Sequence, residues 1–281
     1  MPHWKLILSY DGTPFHGWQI QPGLPTVQGL LSDAIYRTVG ERVLPQGSGR
    51  TDAGVHALGQ VASFSLVSPI PAVNLQNALN RCLPPSVRVL YAEMVAADFH
   101  ARHSAVRKTY EYRIFPLKSP LRERRTANMQ PEIICPPTLA PFVWPCPWPV
   151  ALDAMNQAAA SVVGTHDFTS FAASDPDLSA REGAAQPPPI RTITDSSWHT
   201  CDSLLVYRVT ATGFLHHMVR NLVGTFVQCG ARRLAPDSVP AILEARDRSA
   251  AGPTAPSTGL FLVSVEYPHQ EPSTSDLDPG L

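Results

Sequence analysis

Along the first hundred residues the spacing of apolar side chains switches between strand alternation and a helical repeat, and few folds accommodate that switching. Trp4-Lys5-Leu6-Ile7-Leu8-Ser9-Tyr10 reads as a strand closed by the turn signal Asp11-Gly12. Val27, Leu30, Leu31, Ala34, Ile35 and Thr38 recur at i, i+3, i+4, i+7 and i+8, with Thr26 placed as N-cap and Gly40 as stop, which predicts an amphipathic helix. A strand carrying Ala62, Phe64 and Leu66 on one face follows, then a helix around Val73 to Cys82 stopped by Pro84-Pro85, then a strand from Val87 to about Val95. The order is β-α-β-α-β. Strands with one apolar face, alternating with helices, predict an α+β fold in which a sheet is covered on one side.

Beyond residue 104 the pattern continues with interruptions. Tyr110, Tyr112 and Ile114 share one face of a strand, and Thr109, Glu111 and Arg113 the other. Leu152, Met155, Ala159 and Val162 make a helix stopped at Gly164; strands are expected at about 190–200 and 204–212. A long helix is expected to begin in Phe214-Leu215-His216-His217-Met218-Val219-Arg220-Asn221 and to end near Gly230, followed by a helix near 239–246 and a strand at 259–267. Residues 116–150, with seven prolines from Pro131 to Pro149, and residues 173–189 read as extended segments running over the surface. With 281 residues, two domains are expected: 1–104, and 105–268 with those two Pro-rich insertions, leaving 269–281 as an acidic, disordered tail.

Composition removes several classes. No early stretch has a charged start followed by a long apolar run, and no apolar run is long enough to span a bilayer, so a cytoplasmic protein without a membrane segment is expected. Five scattered cysteines without a C-x-x-C pair indicate neither a zinc ribbon nor a disulfide framework. The net charge of −1 conceals an uneven distribution: eight Lys or Arg against two Glu between His100 and Arg125, but four acids and no Lys or Arg in the last 16 residues. Clustered cations of this kind suit a polyanionic partner.

The candidate for chemistry is Gly47-Ser48-Gly49-Arg50-Thr51-Asp52-Ala53-Gly54-Val55-His56, a glycine-rich loop feeding a strand. No Gly-Lys-Ser/Thr follows, and the glycines do not fit G-x-G-x-x-G, so a nucleotide-cofactor loop is not indicated. Asp52 reads either as a turn former or as a carboxylate presented by backbone that can approach a ligand closely. Phe15 and Trp18, in another glycine-containing loop, read as loop packing ahead of base stacking. Arg220 lies among apolar neighbours on its helix, where snorkelling to the surface is the alternative to a functional role. His100 with His103, and His216 with His217, lack the carboxylate or cysteine spacing of a metal site, so no metal is expected.

Several of these segments together resemble the TruA family of tRNA pseudouridine synthases. They are Gly49-Arg50-Thr51-Asp52-Ala53-Gly54-Val55-His56-Ala57, Tyr10-Asp11-Gly12 with Gly17-Trp18-Gln19, Asp98-Phe99-His100-Ala101-Arg102, Tyr110-Glu111-Tyr112, and His216-His217-Met218-Val219-Arg220-Asn221. The resemblance covers about 4–115, 151–172 and 190–268. It implies two related ferredoxin-like or RRM-like halves whose antiparallel sheets join across a central active-site cleft. It further implies isomerisation of uridine to pseudouridine at positions 38, 39 and 40 in the anticodon arm of tRNA, by a homodimer, with no metal or cofactor. Asp52 would be the catalytic carboxylate, taken as the nucleophile, although a carboxylate can also stabilise a cationic sugar or remove a sugar proton. Tyr110 would contact the target base, Arg50 would assist its extrusion, and Arg220 would pair with Asp52. A non-catalytic RNA-binding or RNA-chaperone protein would use the same basic strand without needing Asp52, and a metal-dependent hydrolase would need the histidines.

Overall fold

The first strand alternates as its sequence requires. In the computed structural model, which describes residues 1–117, 133–174 and 188–268, β1 (His3–Tyr10) buries Trp4, Leu6, Leu8 and Tyr10 and leaves the intervening side chains half-buried. Helix α1 (Val27–Val39) begins where the Thr26 side chain accepts a hydrogen bond from the Gly29 amide and ends at Gly40 in the left-handed region. It lays Val27, Leu31, Ala34 and Ile35 into the same apolar cluster as the buried face of β1, together with Leu75 and Leu79 of α2 (Ala72–Cys82). Each of the Val, Leu and Ile side chains among them contributes roughly 1.5–3 kcal/mol by leaving water. The opposite face of the sheet carries a much smaller cluster of Val61, Phe99 and Ala101. Helices over one face, as the alternation predicts, leave the other face to loops.

The remaining strands are β2 (Gln46–Gly47), β3 (His56–Ser65), β4 (Val87–Val95), β5 (Arg107–Pro116), β6 (Trp144–Cys146), β7 (Gly164–Asp167), β8 (Ile190–Cys201), β9 (Leu204–Ala211) and β10 (Leu260–Glu266). They form one ten-stranded sheet in the order β4-β1-β3-β10-β5-β9-β8-β7, with β2 added to β3 and β6 to β5. Along that path every pairing is antiparallel except β3 with β10, where Phe261 faces His56 and Leu262 faces Ala57. The last strand is therefore inserted between the first part of the sheet and the second. Its other edge pairs Leu262 with Tyr110 and Leu260 with Tyr112. Helices α3 (Leu152–Ala160), α4 (Met218–Gly230) and α5 (Val239–Ala245) complete the fold, and no helix among the described residues is long and apolar enough to cross a membrane.

One expectation is corrected. The stretch 116–150 does not simply run over the surface: β6 pairs with β5, and Val143, Cys146 and Val150 are buried. Pro145 is tolerated there because β6 is a short strand paired on one side only, where a missing N–H leaves no ladder bond unmade. Helix α4 begins at Met218, inside the expected stretch and just past His217, which is left-handed (φ 58°, ψ 5°). Residues 118–132, 175–187 and 269–281, which include part of each Pro-rich insertion and the acidic tail, lie outside the described residues.

One buried polar residue locks the start of β3 to three other segments. His56 accepts a hydrogen bond from the Gly12 amide at Nδ1 (3.0 Å), while Nε2 faces the Pro141 and Thr258 carbonyl oxygens at 3.1 and 3.2 Å. Those partners fix a neutral ring carrying its proton on Nε2, stacked on Phe261 with centroids 4.6 Å apart. Burial pushes the imidazole below its ordinary value of 6.5, outweighing the Asp11 carboxylate nearby. The unfolded chain therefore binds the proton more readily than the folded one. Stability should be fully present above about pH 6.5 and decline as pH falls below it. Urea unfolding at pH 5.5 and 7.5 measures this, and a His56→Gln variant should lose much of the difference; an unchanged pH dependence in the variant would assign it to other groups.

Candidate active site

The Asp52 loop is held from below by the turn that follows β1. Gly17 adopts φ +88°, and a Cβ there would lie 2.5 Å from the Thr51 carbonyl oxygen, so only glycine permits this approach. The Trp18 amide donates to that same carbonyl at 3.0 Å, the Gly54 amide donates to Phe15 O at 3.2 Å, and Thr51 Oγ1 lies 2.8 Å from the Tyr10 hydroxyl. Phe15 and Trp18 are buried, so these aromatics serve packing, the reading favoured from their loop context. With Thr51 and Gly54 tied down on either side, Asp52 projects from a held loop.

Residues 214–220 make the facing wall. The left-handed turn at His217 costs of order 1–3 kcal/mol for a non-glycine residue and sets the ring against Asp52. On α4, Gly224 lets another stretch of backbone cross the helix: a Cβ would meet Pro253 O at 1.7 Å. That crossing brings Ala255 to Arg220, whose Nε donates to Ala255 O at 2.8 Å while the Ala255 amide donates to Arg220 O at 3.1 Å. Asn221, fully buried, is satisfied on both sides: Nδ2 donates to Phe171 O, and Oδ1 accepts from Arg248 and Thr254. The arginine thus has one orientation available.

The two walls meet at the carboxylate. Arg220 donates from Nη1 to Asp52 Oδ2 at 3.0 Å, His217 Nε2 lies 3.2 Å from the same oxygen, and His216 Nε2 lies 3.6 Å from Oδ1. The side chains of Asp52 and Arg220 keep 23% and 15% of their surface exposed, so the pair borders solvent without being lost in it. Desolvation is the largest influence on His217 and lowers its proton affinity against the pull of Asp52, which favours the neutral ring. Donor atoms of Asp52, His216 and His217 lie within 4.8 Å of one another and have the chemistry to take a divalent cation. The Arg220 guanidinium, however, already supplies the counter-charge to the oxygen such an ion would need.

A cavity of about 500 Å³ opens beside this cluster, and β5 contributes to its lining with Lys108 and Tyr110 from one face of the strand. Tyr110 is 8% exposed and meets the edge of Phe214 at 4.9 Å; burial raises its phenol well above the ordinary value, so it stays protonated. Lys108 donates from Nζ to Ser48 O at 2.6 Å, and burial, reinforced by Arg102 and Arg191, lowers its ammonium to about 8. Arg50 is exposed on the loop and also borders the cavity.

All four residues singled out in the sequence, Arg50, Asp52, Tyr110 and Arg220, therefore border one cavity. His100 and His103 do not border it and face each other, with ring centroids 4.3 Å apart. His216, His217 and Lys108 were missed as members of the site. The signals were present: the histidines precede Arg220 by about one helical turn, and Lys108 is two residues from Tyr110 on the same strand face.

A family described as tRNA pseudouridine synthase matches residues 6–104 and 158–268. Among curated proteins, tRNA pseudouridine synthase A of Solibacter usitatus is 48% identical over 264 residues, covering 94% of this chain and 98% of its own. The protein of that name from Moorella thermoacetica is 43% identical over 269 residues, covering 95% and 100%.

Two substitutions separate the architecture of this wall from its chemistry. His217→Gly suits the left-handed backbone and should leave stability within about 1 kcal/mol of wild type while lowering turnover at least about tenfold through loss of the ring beside Asp52. Asn221→Ala strands buried partners and should cost about 1–3 kcal/mol in urea unfolding. Unchanged turnover in His217→Gly would reduce that histidine to a backbone device.

Proposed function

Because the chain belongs to the tRNA pseudouridine synthase family, a family of isomerases, we propose that it converts uridine to pseudouridine at positions 38, 39 and 40 of the tRNA anticodon arm, with Asp52 as the nucleophile. The observation that carries this reading is a carboxylate at the wall of a nucleotide-sized cavity, hydrogen-bonded to Arg220 at 3.0 Å and sharing that cavity with Tyr110.

The reaction breaks the bond between N1 of the base and C1′ of the sugar and forms one from C5 to C1′. N1 gains a proton and C5 loses one, so the product is an isomer of the substrate. Asp52 attacks the nucleotide, and the bond it forms is broken again before the product leaves, while Arg220 holds the carboxylate in place. A stacked base is out of reach, so the uridine is first turned out of the helix at a cost of roughly a few kcal/mol. Arg50, two residues from Asp52 on the same loop, fills or grips the space left behind. Tyr110 stacks on the extruded base, a contact worth about 1–3 kcal/mol. The burial that keeps its phenol protonated favours this stacking over removal of the C5 proton. In the same reading the working species is a homodimer, with one tRNA touching both copies.

Purified protein acting on unmodified tRNA transcripts, followed by mapping of pseudouridine, is the direct test. Modification should be confined to positions 38–40; product in another arm would overturn the site assignment. Asp52→Ala should abolish product and leave tRNA affinity within a few-fold of wild type, whereas turnover near the wild-type rate would remove Asp52 from the chemistry.

A further inference from the structure

The charges around the cavity are unevenly matched. At one wall Arg220 and Asp52 neutralise each other at 3.0 Å. At another, Lys108 is partly buried with a single protein acceptor, the Ser48 carbonyl, and no carboxylate within ion-pair distance among the described residues. Its charged neighbours are Arg102, which also borders the cavity, and Arg191. A carbonyl needs only a neutral donor, so satisfying Ser48 does not account for an ammonium partly shielded from water among like charges. An ammonium has three N–H donors, of which Ser48 takes one. Gly49 leaves the space beside it open: a Cβ there would come within 3.3 Å of Lys108 Nζ. Arg191 is braced by its bonds to the Pro188 and Ile190 carbonyl oxygens, with its Nε 3.7 Å from where a Gly213 Cβ would stand.

We propose that Lys108, supported by Arg102 and Arg191, forms a phosphate subsite that grips an RNA backbone phosphate next to the target nucleotide. The proposal rests on the RNA-modifying reading above. Lys108 and Tyr110 are two residues apart on one face of β5, about 7 Å along the strand, the scale that separates a base from the phosphate of its own nucleotide. A base on Tyr110 therefore places its backbone within reach of the ammonium. Because Ser48 precedes Arg50 and Asp52 in the same loop, the lysine also joins the phosphate to the segment that carries the carboxylate.

The test is binding of anticodon stem-loop RNAs in which single linkages are replaced by uncharged methylphosphonates: the two flanking the target uridine, and one remote control. Wild type should lose about tenfold in affinity at one flanking linkage and little at the control. Lys108→Met should lose about as much on unmodified RNA, show no further loss at that linkage, and bind with a salt slope shallower by about 0.7, one counterion on a single strand. Lys108→Arg should restore most of the affinity. If Lys108→Met binds like wild type with an unchanged slope, or still loses tenfold at that linkage, the proposal is wrong. Should the methionine variant fail to fold, Arg102→Gln at an exposed position gives the same reading: a several-fold reduced penalty at the same linkage supports the subsite, and an unaltered penalty overturns it. Wild type that makes pseudouridine without any linkage-specific coupling ends this inference alone; wild type that shows the coupling but makes no pseudouridine ends the isomerase reading alone.

Discussion

A single hydrogen-bonded ion pair, Arg220 to Asp52, joins residues 168 positions apart and closes the site. Pairs of this kind add little net stability, because desolvating both charges offsets most of their attraction, whereas removing one partner leaves the other uncompensated. The surrounding structure is arranged to hold the pair regardless of its own worth. Gly17 and Trp18 clamp the carbonyl of Thr51 on one side, and the Pro253 to Ala255 backbone crosses α4 at Gly224 and fixes the guanidinium on the other. Each clamp uses a glycine whose missing Cβ is occupied by a carbonyl oxygen from elsewhere in the chain. The left-handed His217 adds local strain at the same point. Strain and close approaches concentrated around one carboxylate mark a position that the fold over-determines.

The sheet makes the meeting possible. Without β10 between them, β3 with its short partner β2 and β5 with its short partner β6 would belong to two separate sheets. Inserted there, β10 sets Phe261 beside His56, four residues beyond Asp52, and Leu262 beside Tyr110. The spacing between the carboxylate loop and the tyrosine is therefore a strand spacing, insensitive to the length of the intervening segments. His56 reinforces the joint by bonding Gly12 on one side and facing the Pro141 and Thr258 carbonyls on the other.

How much of this was legible in the sequence follows from the range of each determinant. The cap at Thr26, the stop at Gly40 and the alternation of β1 and β5 are local, and all appear as read. The position of β10 is not local: its apolar run announces a strand but not its neighbours, and the joined arrangement was reachable only through the family resemblance. Counting prolines misjudged residues 143–150, because the count records missing donors and is blind to Val143 and Cys146 packing behind them. The start of α4 falls within the stretch expected for it, but the left-handed His217 before it has no sequence mark comparable to glycine. His216 and His217 were weighed as metal ligands, a question of spacing, when what mattered was that Arg220 would carry them to Asp52.

The electrostatic layout also answers a difficulty inherent in the proposed chemistry. A carboxylate that must approach a ribose is brought up against a polyanion, and two like charges a few ångströms apart repel by about 4 kcal/mol at an effective dielectric near 20. Arg220 removes most of that repulsion by matching the Asp52 charge before RNA arrives. Lys108, with no carboxylate partner among the described residues, lies elsewhere on the cavity wall, where attraction to a backbone would favour docking. A chain with a net charge of −1 can therefore present a cationic face to its substrate without spreading basic residues over its whole surface. The division also keeps the two regions independent: a change of charge at Lys108 on β5 leaves the Asp52 pair untouched, because the Asp52 counter-ion belongs to α4.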